Sequence, residues 1–213
     1  MSKFESRIEP TPPARDATFW EERYQDGTAR WNLGQPAPPF VPFLGSPEAP
    51  LPGRIAVLGA GHGHDALLFA EHGFEVVAFD FAPSAIAVGT EAARSRGLSA
   101  QFLQRDIFTL PEEFSASFDY VLEHTCFCAI SPDQRSDYVN VVRSILRPGG
   151  NLIALFWAHE RPGGPPFGVT VADLRQYFAP YFDFLMFDLA SDSVESRKDE
   201  EYLAYLSLHT DPN

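Results

Sequence analysis

With 213 residues, 45% of them hydrophobic, the chain has apolar material for one well-buried core and too little for two. A formal net charge of −13 repels phosphate backbones and anionic lipid, and no basic run longer than Arg197-Lys198 offsets it, so neither nucleic acid nor membrane is expected as a partner. The two cysteines, Cys126 and Cys128, stand too close together for a useful disulfide and lack a second pair for a metal, so they read as reduced, buried thiols of a cytoplasmic protein without a metal site.

Residues 1–15, with Pro10, Pro12 and Pro13, are expected to form a flexible arm without a signal peptide or membrane span. Residues 16–213 read as a single domain whose first part, 16–52, is an aromatic cap. Asp16 can cap a short helix carrying Phe19, Trp20, Arg23 and Tyr24 and ending at Gly27. Trp31-Asn32-Leu33-Gly34 follows, then a proline-rich loop from Pro36 to Pro52. Past Gly53 strands alternate with helices: strand Arg54–Leu58, helix His64–His72, strand Glu75–Phe79, helix Pro83–Ser95, strands Ala100–Leu103 and Phe118–Leu122, and helix Pro132–Leu146. Pro148-Gly149-Gly150 breaks that helix, and Asn151–Trp157 is apolar throughout, as a strand buried on both faces should be.

Such alternation makes a parallel sheet with helices on both faces. The tail differs. Val171–Phe178 is a short helix, and Phe182–Leu189 and Tyr202–His209 are strands with no crossover helix between them, so they pair antiparallel. The expected fold is therefore α/β, Rossmann-like, and mostly parallel with a C-terminal antiparallel hairpin. By fold analogy, that tail separates methyltransferases from dinucleotide-binding domains.

Three motifs sit at strand ends. Gly59-Ala60-Gly61-His62-Gly63-His64 follows the first strand and lets the backbone approach a ligand closely. The dinucleotide fingerprint needs glycine where His64 stands, so the G-x-G-x-G loop suits a ligand without a pyrophosphate. Asp80 ends the second strand, where an acid accepts from ribose hydroxyls. Asp106-Ile107 follows the third strand, where an acid can take an exocyclic amine and an apolar residue can lie against a base.

Phe118-Asp119-Tyr120-Val121-Leu122-Glu123-His124-Thr125-Cys126-Phe127-Cys128-Ala129-Ile130 resembles the fourth-strand motif of the thiopurine methyltransferase superfamily, in its halide and thiol methyltransferase branch. Trp20-Glu21-Glu22-Arg23-Tyr24, Trp31-Asn32-Leu33-Gly34, Arg161-Pro162-Gly163-Gly164-Pro165-Pro166-Phe167 and Arg197-Lys198 resemble further segments of that family, so the likeness spans roughly residues 18–208. It implies a class I fold, S-adenosyl-L-methionine as methyl donor and a small-molecule acceptor. It also implies that Trp20, Tyr24 and Trp31 border the donor, and that Gly59, Gly61, Asp80, Asp106, Ile107 and His124 contact it. The family often has tryptophan where Tyr24 stands and tyrosine where His124 stands, which leaves the acceptor open.

Methyl transfer from a sulfonium is an in-line displacement with a neutral leaving group, so positioning and exclusion of water matter most. Phe19, Trp20, Tyr24, Trp31, Phe127 and Phe167 are candidates to line the pocket, because π faces attract a sulfonium. Thiols and halides need little or no base. An alcohol or amine would want one, and His124 is the candidate, with Glu123 to orient it or to bind the methionine ammonium. His62, His64, His72, His159 and His209 show no ligand spacing and read as surface or turn residues. The Gly163–Pro166 segment reads as a lid over a small pocket. The leading reading is transfer to a small soft nucleophile. An O- or N-methyltransferase using His124, and a non-catalytic nucleoside-binding protein, stay open beside it.

Overall fold

Alternate residues of the first strand serve two different cores. Ile55 and Val57 pack on one side of the sheet, Ala56 and Leu58 on the other. All four are buried, which is why this stretch is continuously apolar instead of alternating. The structure, a computed structural model, describes residues 15–210. The arm expected over residues 1–15 lies, apart from Arg15, outside the described residues.

Strands β1 (Arg54–Leu58), β2 (Glu75–Asp80), β3 (Ala100–Gln104), β4 (Phe118–His124), β5 (Leu146–Trp157), β6 (Phe182–Leu189) and β7 (Glu201–Leu208) form one sheet in the order β3-β2-β1-β4-β5-β7-β6. The first five strands run parallel. β7 pairs antiparallel with both β5 and β6, so the mostly parallel sheet with an antiparallel tail is present as expected. Helices α2 (Phe40–Leu44), α3 (His64–Glu71) and α4 (Pro83–Arg96) cover one face through residues such as Phe40, Phe69 and Ala93. Helices α5 (Leu110–Phe114), α6 (Arg135–Ile145) and α7 (Val171–Phe178) cover the other through Leu110, Tyr138, Val142 and Phe178. The N-terminal helix α1 (Ala17–Gln25) is capped by Asp16, whose carboxylate accepts from Phe19 N at 2.9 Å, as the sequence suggested.

Three details depart from the sequence reading. The stretch Pro36–Pro52 is not all loop: Phe40, Phe43 and Leu44 are buried at helical spacing within α2, and Ala37 is buried just ahead of it. A short 3-10 turn at Ile107–Thr109 and helix α5 fill the gap between β3 and β4. Pro148-Gly149-Gly150 does not separate helix from strand. It lies inside the irregular start of β5, where Leu146 already pairs with Phe118.

The strand order reverses between β1 and β4, and ligands of open α/β sheets bind beyond the carboxyl ends of the strands at such a switch point. Gly59, Asp80 and His124 all stand at that edge. Among the described residues no helix is long and apolar enough to cross a membrane.

Candidate active site

The glycine loop folds back onto the end of β2. Gly61 N donates to Asp80 Oδ2 at 2.7 Å, and Ala82 N donates to Asp80 Oδ1 at 2.9 Å. Gly61 sits at φ +54°, and a Cβ there would come within 2.8 Å of the Tyr24 hydroxyl, so the loop can pass under the cap only without a side chain. Burial pushes the Asp80 carboxyl above its ordinary range, while the backbone N–H groups oppose that shift. On the next strand end, Asp106 accepts from Phe108 N at 2.9 Å and caps the turn that carries the buried Ile107.

Above these strand ends lies a cavity of about 1280 Å³. Of the residues nominated from the sequence, Trp20, Tyr24, Trp31, Gly59, Asp80, Asp106 and Ile107 line it. Phe19, also nominated, lines it too, as do Cys126, Cys128, Trp157, the Gly164–Pro166 stretch and Arg197 among others. Phe127 and Phe167 are instead buried in packing, at 1% and 3% exposure. The three cap rings support one another: Trp31 packs edge-on against Trp20 and Tyr24, and its Nε1 donates to the Tyr24 hydroxyl at 2.9 Å. Burial, with Asp80 nearby, raises the Tyr24 pKa, so this phenol stays protonated. Burial also lifts the Cys126 thiol and pushes Cys128 up to about 12, so neither is a thiolate at neutral pH.

A smaller cavity of about 50 Å³ adjoins the first across Tyr24, Trp31, Gly59 and Thr125, which line both. Gly61 and His124 face this smaller space and not the larger one. His124 Nδ1 lies 2.7 Å from Asp65 Oδ2; its Nε2 lies 3.0 Å from Arg197 Nη1 and 3.7 Å from Glu201 Oε1. Burial lowers the His124 pKa, but the two carboxylates overcome it and hold it at about 9 against the opposing Arg197. In the neutral ring Nδ1–H donates to Asp65 and Nε2 accepts from Arg197; in the imidazolium both nitrogens carry protons. Neither form leaves a lone pair for abstracting a proton. The structure thus places His124 where it cannot serve as the base the sequence nominated.

Glu123 lines neither cavity. At 1% exposure it accepts from Cys126 N at 3.1 Å, Phe127 N at 2.9 Å and the Tyr138 hydroxyl at 2.5 Å, which fixes the turn after β4. It neither orients His124 by a hydrogen bond nor faces the larger cavity.

Several side chains of this region take partners that their motifs do not reveal. Asn32 bridges two histidines of the glycine loop, with Nδ2 2.9 Å from His62 Nδ1 and Oδ1 3.0 Å from His64 Nε2. His62 stands in a turn, within the expected surface or turn reading, while His64 opens α3; both rings are partly buried and tied to the cap, and burial lowers both pKa values. His159 is likewise buried, at 6% exposure, while His72 and His209 are exposed. Asp65 accepts from Ala37 N at 2.7 Å through its second oxygen. Arg197, 3% exposed, also donates to Glu201 Oε1 at 3.1 Å and reaches the Trp31 carbonyl at 3.4 Å. An acid in the first turn of α3 and a buried arginine of the Arg197-Lys198 pair were the available signals, but their partners lie far off in the chain.

The thiopurine S-methyltransferase family matches residues 15–207. Thiocyanate methyltransferase 1 of Brassica oleracea is 32% identical over 192 residues, covering 86% of this chain and 82% of that protein. Probable thiol methyltransferase 2 of Arabidopsis thaliana is 32% identical over 164 residues, covering 76% of this chain and 71% of the relative. In fold the chain is similar to 1,6-didemethyltoxoflavin-N1-methyltransferase of Burkholderia thailandensis, solved with 1,6-didemethyltoxoflavin and S-adenosylhomocysteine, with a TM-score of 0.68, 19% identity and 99% of both chains covered.

Proposed function

The chain belongs to the thiopurine S-methyltransferase family and is an S-adenosyl-L-methionine-dependent methyltransferase, and from that premise we propose that its acceptor is a small soft nucleophile: a thiol, a halide or a related anion such as thiocyanate. The observation that carries this reading is the state of His124. Both of its ring nitrogens are engaged by Asp65, Arg197 and Glu201, so the proposed acceptor is one that arrives ionised or ionises readily. Residues 16–213 act as one domain in this reading, with 16–52 as its cap. Two buried, unjoined thiols fit a cytoplasmic protein.

The walls suit the donor. Asp80 spends one lone pair of each oxygen on Gly61 and Ala82, and the remaining pairs are available to ribose hydroxyls. Asp106 holds Phe108 N with Oδ1 and would meet the adenine amine with Oδ2, while Ile107 gives the base an apolar face. Gly59 and the rings of Trp20, Tyr24 and Trp31 would enclose the sulfonium, whose positive charge the π faces favour. When bound, the donor supplies an activated methyl group. The protein's part is to hold cap and sheet edge together, keep water out and align the acceptor.

The test is methyl transfer from labelled S-adenosylmethionine to iodide, thiocyanate, hydrosulfide and aryl thiols, beside small alcohols and amines. Transfer to the soft nucleophiles, with a flat pH–rate profile for iodide between pH 6 and 8, is expected. Transfer to an alcohol or amine alone would overturn the reading.

A further inference from the structure

Cap and sheet meet through a short buried chain of polar contacts that the reaction itself does not require. Ala37 N, at the start of the segment leading into α2, donates to Asp65 on α3. Asp65 holds His124 at the end of β4, and His124 faces the Arg197–Glu201 pair at the start of β7. Arg197 returns to the cap at the Trp31 carbonyl. The circuit leaves the cap at Ala37 and re-enters it at Trp31, six residues earlier. Its four side chains comprise two carboxylates, one guanidinium and one imidazole. The His124 and Asp65 side chains are only 10% and 15% exposed, and those of Arg197 and Glu201 3% and 2%. A buried set of this kind is costly when one member is missing, because the others keep their charge without a partner.

We propose that His124 is a positioning residue: by joining Asp65 to the Arg197–Glu201 pair, it holds the Trp31–Ala37 segment of the cap against the glycine loop. The ring does its work beside the donor site without lining the large cavity. It governs how well the cap closes over the donor, and hence donor affinity, while the rate of transfer from the closed complex does not depend on it. The inference rests on the donor reading above and adds the device that shuts the site.

Three variants test it: His124→Ala, His124→Gln and Asp65→Asn. Glutamine at 124 can still donate to Asp65 and accept from Arg197, the partners on either side of the ring, and asparagine at 65 keeps the acceptor for Ala37 N. Amide hydrogen exchange on the ligand-free protein is expected to speed up in residues 31–37 of His124→Ala while β1 stays protected. Calorimetry should show a roughly tenfold weaker Kd for S-adenosylhomocysteine in His124→Ala and a few-fold weaker one in Asp65→Asn, with kcat at saturating donor within about threefold of wild type. His124→Gln should recover most of the affinity. Should His124→Ala fail to fold, the exchange and affinity of Asp65→Asn decide. Unchanged exchange in the cap with unchanged affinity overturns the proposal, as does a kcat lowered a hundredfold at unchanged Kd, or exchange that rises equally across the sheet. Wild-type protein that fails to bind S-adenosylhomocysteine would overturn the donor reading instead, and the exchange pattern would still decide the role of His124.

Discussion

In the glycine-loop wall of the cavity, Asp80 takes its backbone bonds from Gly61 and Ala82, nineteen and two residues away; in the cap wall, Arg197 reaches the Trp31 carbonyl across 166 residues. The first wall is one strand–loop–helix unit with its neighbouring strand end, shaped by backbone conformation and steric fit. The second is assembled from the cap, the end of β4 and the turn before β7, and side-chain polar contacts hold it. The two should therefore fail differently. A single added methyl can break the first, whereas the second should loosen in steps as its ties are cut.

Gly63→Ala is the largest expected effect. Gly63 sits at φ +80°, and a Cβ there would lie 2.4 Å from the Phe102 ring, which also fills the space beside Gly89. Overpacking and the left-handed backbone together should cost about 3–4 kcal/mol. Denaturant unfolding checks this, and a loss below about 1 kcal/mol would show that the loop is not sterically set.

Asp80→Ala comes next. It removes a buried carboxylate that organises the loop and, in our reading, receives the donor ribose. Loss of hydrogen bonds to a charged group, about 1.5–3 kcal/mol, corresponds to donor affinity lower by about ten- to a hundredfold. Unchanged affinity for S-adenosylhomocysteine by calorimetry would remove Asp80 from the donor site.

The same contrast governs what could be read from the sequence. That Gly59, Asp80, Asp106 and Ile107 line the large cavity was legible because each stands at a strand end, within a few residues of the periodic pattern that marks the strand, whereas Gly61 of the same loop faces the smaller space. The parallel sheet followed from the alternation of strands with helices, and the antiparallel tail from the missing crossover helix. The cap wall was less accessible. His124 stood out as a residue at a strand end, but its chemistry is decided by Asp65 and Arg197, 59 and 73 residues away, which occupy its nitrogens. Asn32 stood within the Trp31–Gly34 segment, but nothing there pointed to its partners, two histidines 30 and 32 residues further on. Helix α2 was hidden because Pro42 within it and Pro36, Pro38 and Pro39 ahead of it argue for a loop, while its burial spacing only acquires meaning against Phe69 and Tyr205.

Asn32→Ala cuts one tie of the cap wall and should have a moderate effect. Two partly buried hydrogen bonds are lost, about 1 kcal/mol in all, with donor affinity reduced about fivefold. His62 and His64 have pKa values lowered by burial, so their stabilisation is present above about pH 6.5 and is lost as pH falls through the folded values. Freed from Asn32, both rings should titrate nearer the ordinary histidine value in NMR. Unmoved titrations would mean that the cap does not bury them.

Arg161→Ala should have the smallest effect, although it too breaks a long-range contact. Arg161 grips Glu200 with both Nη atoms, at 2.6 and 2.7 Å, and Trp157 Nε1 donates to the same carboxylate at 2.8 Å. Arg161 holds the Glu200 carboxyl down at about 2, so the pair stabilises the fold above the ordinary carboxylate range and fades as pH falls through about 2. The Arg161 side chain is 52% exposed, however, and solvent and salt screen such pairs to about 0–1 kcal/mol. The variant should melt within about 4 °C of wild type at pH 7, with a smaller difference in high salt. Donor affinity should be unchanged, because Trp157 keeps its bond to Glu200. A large loss of affinity in this exposed variant would mean that sequence separation alone weakens the cap wall; an unchanged affinity means that burial, which the His124 circuit has and this pair lacks, sets the cost of breaking it.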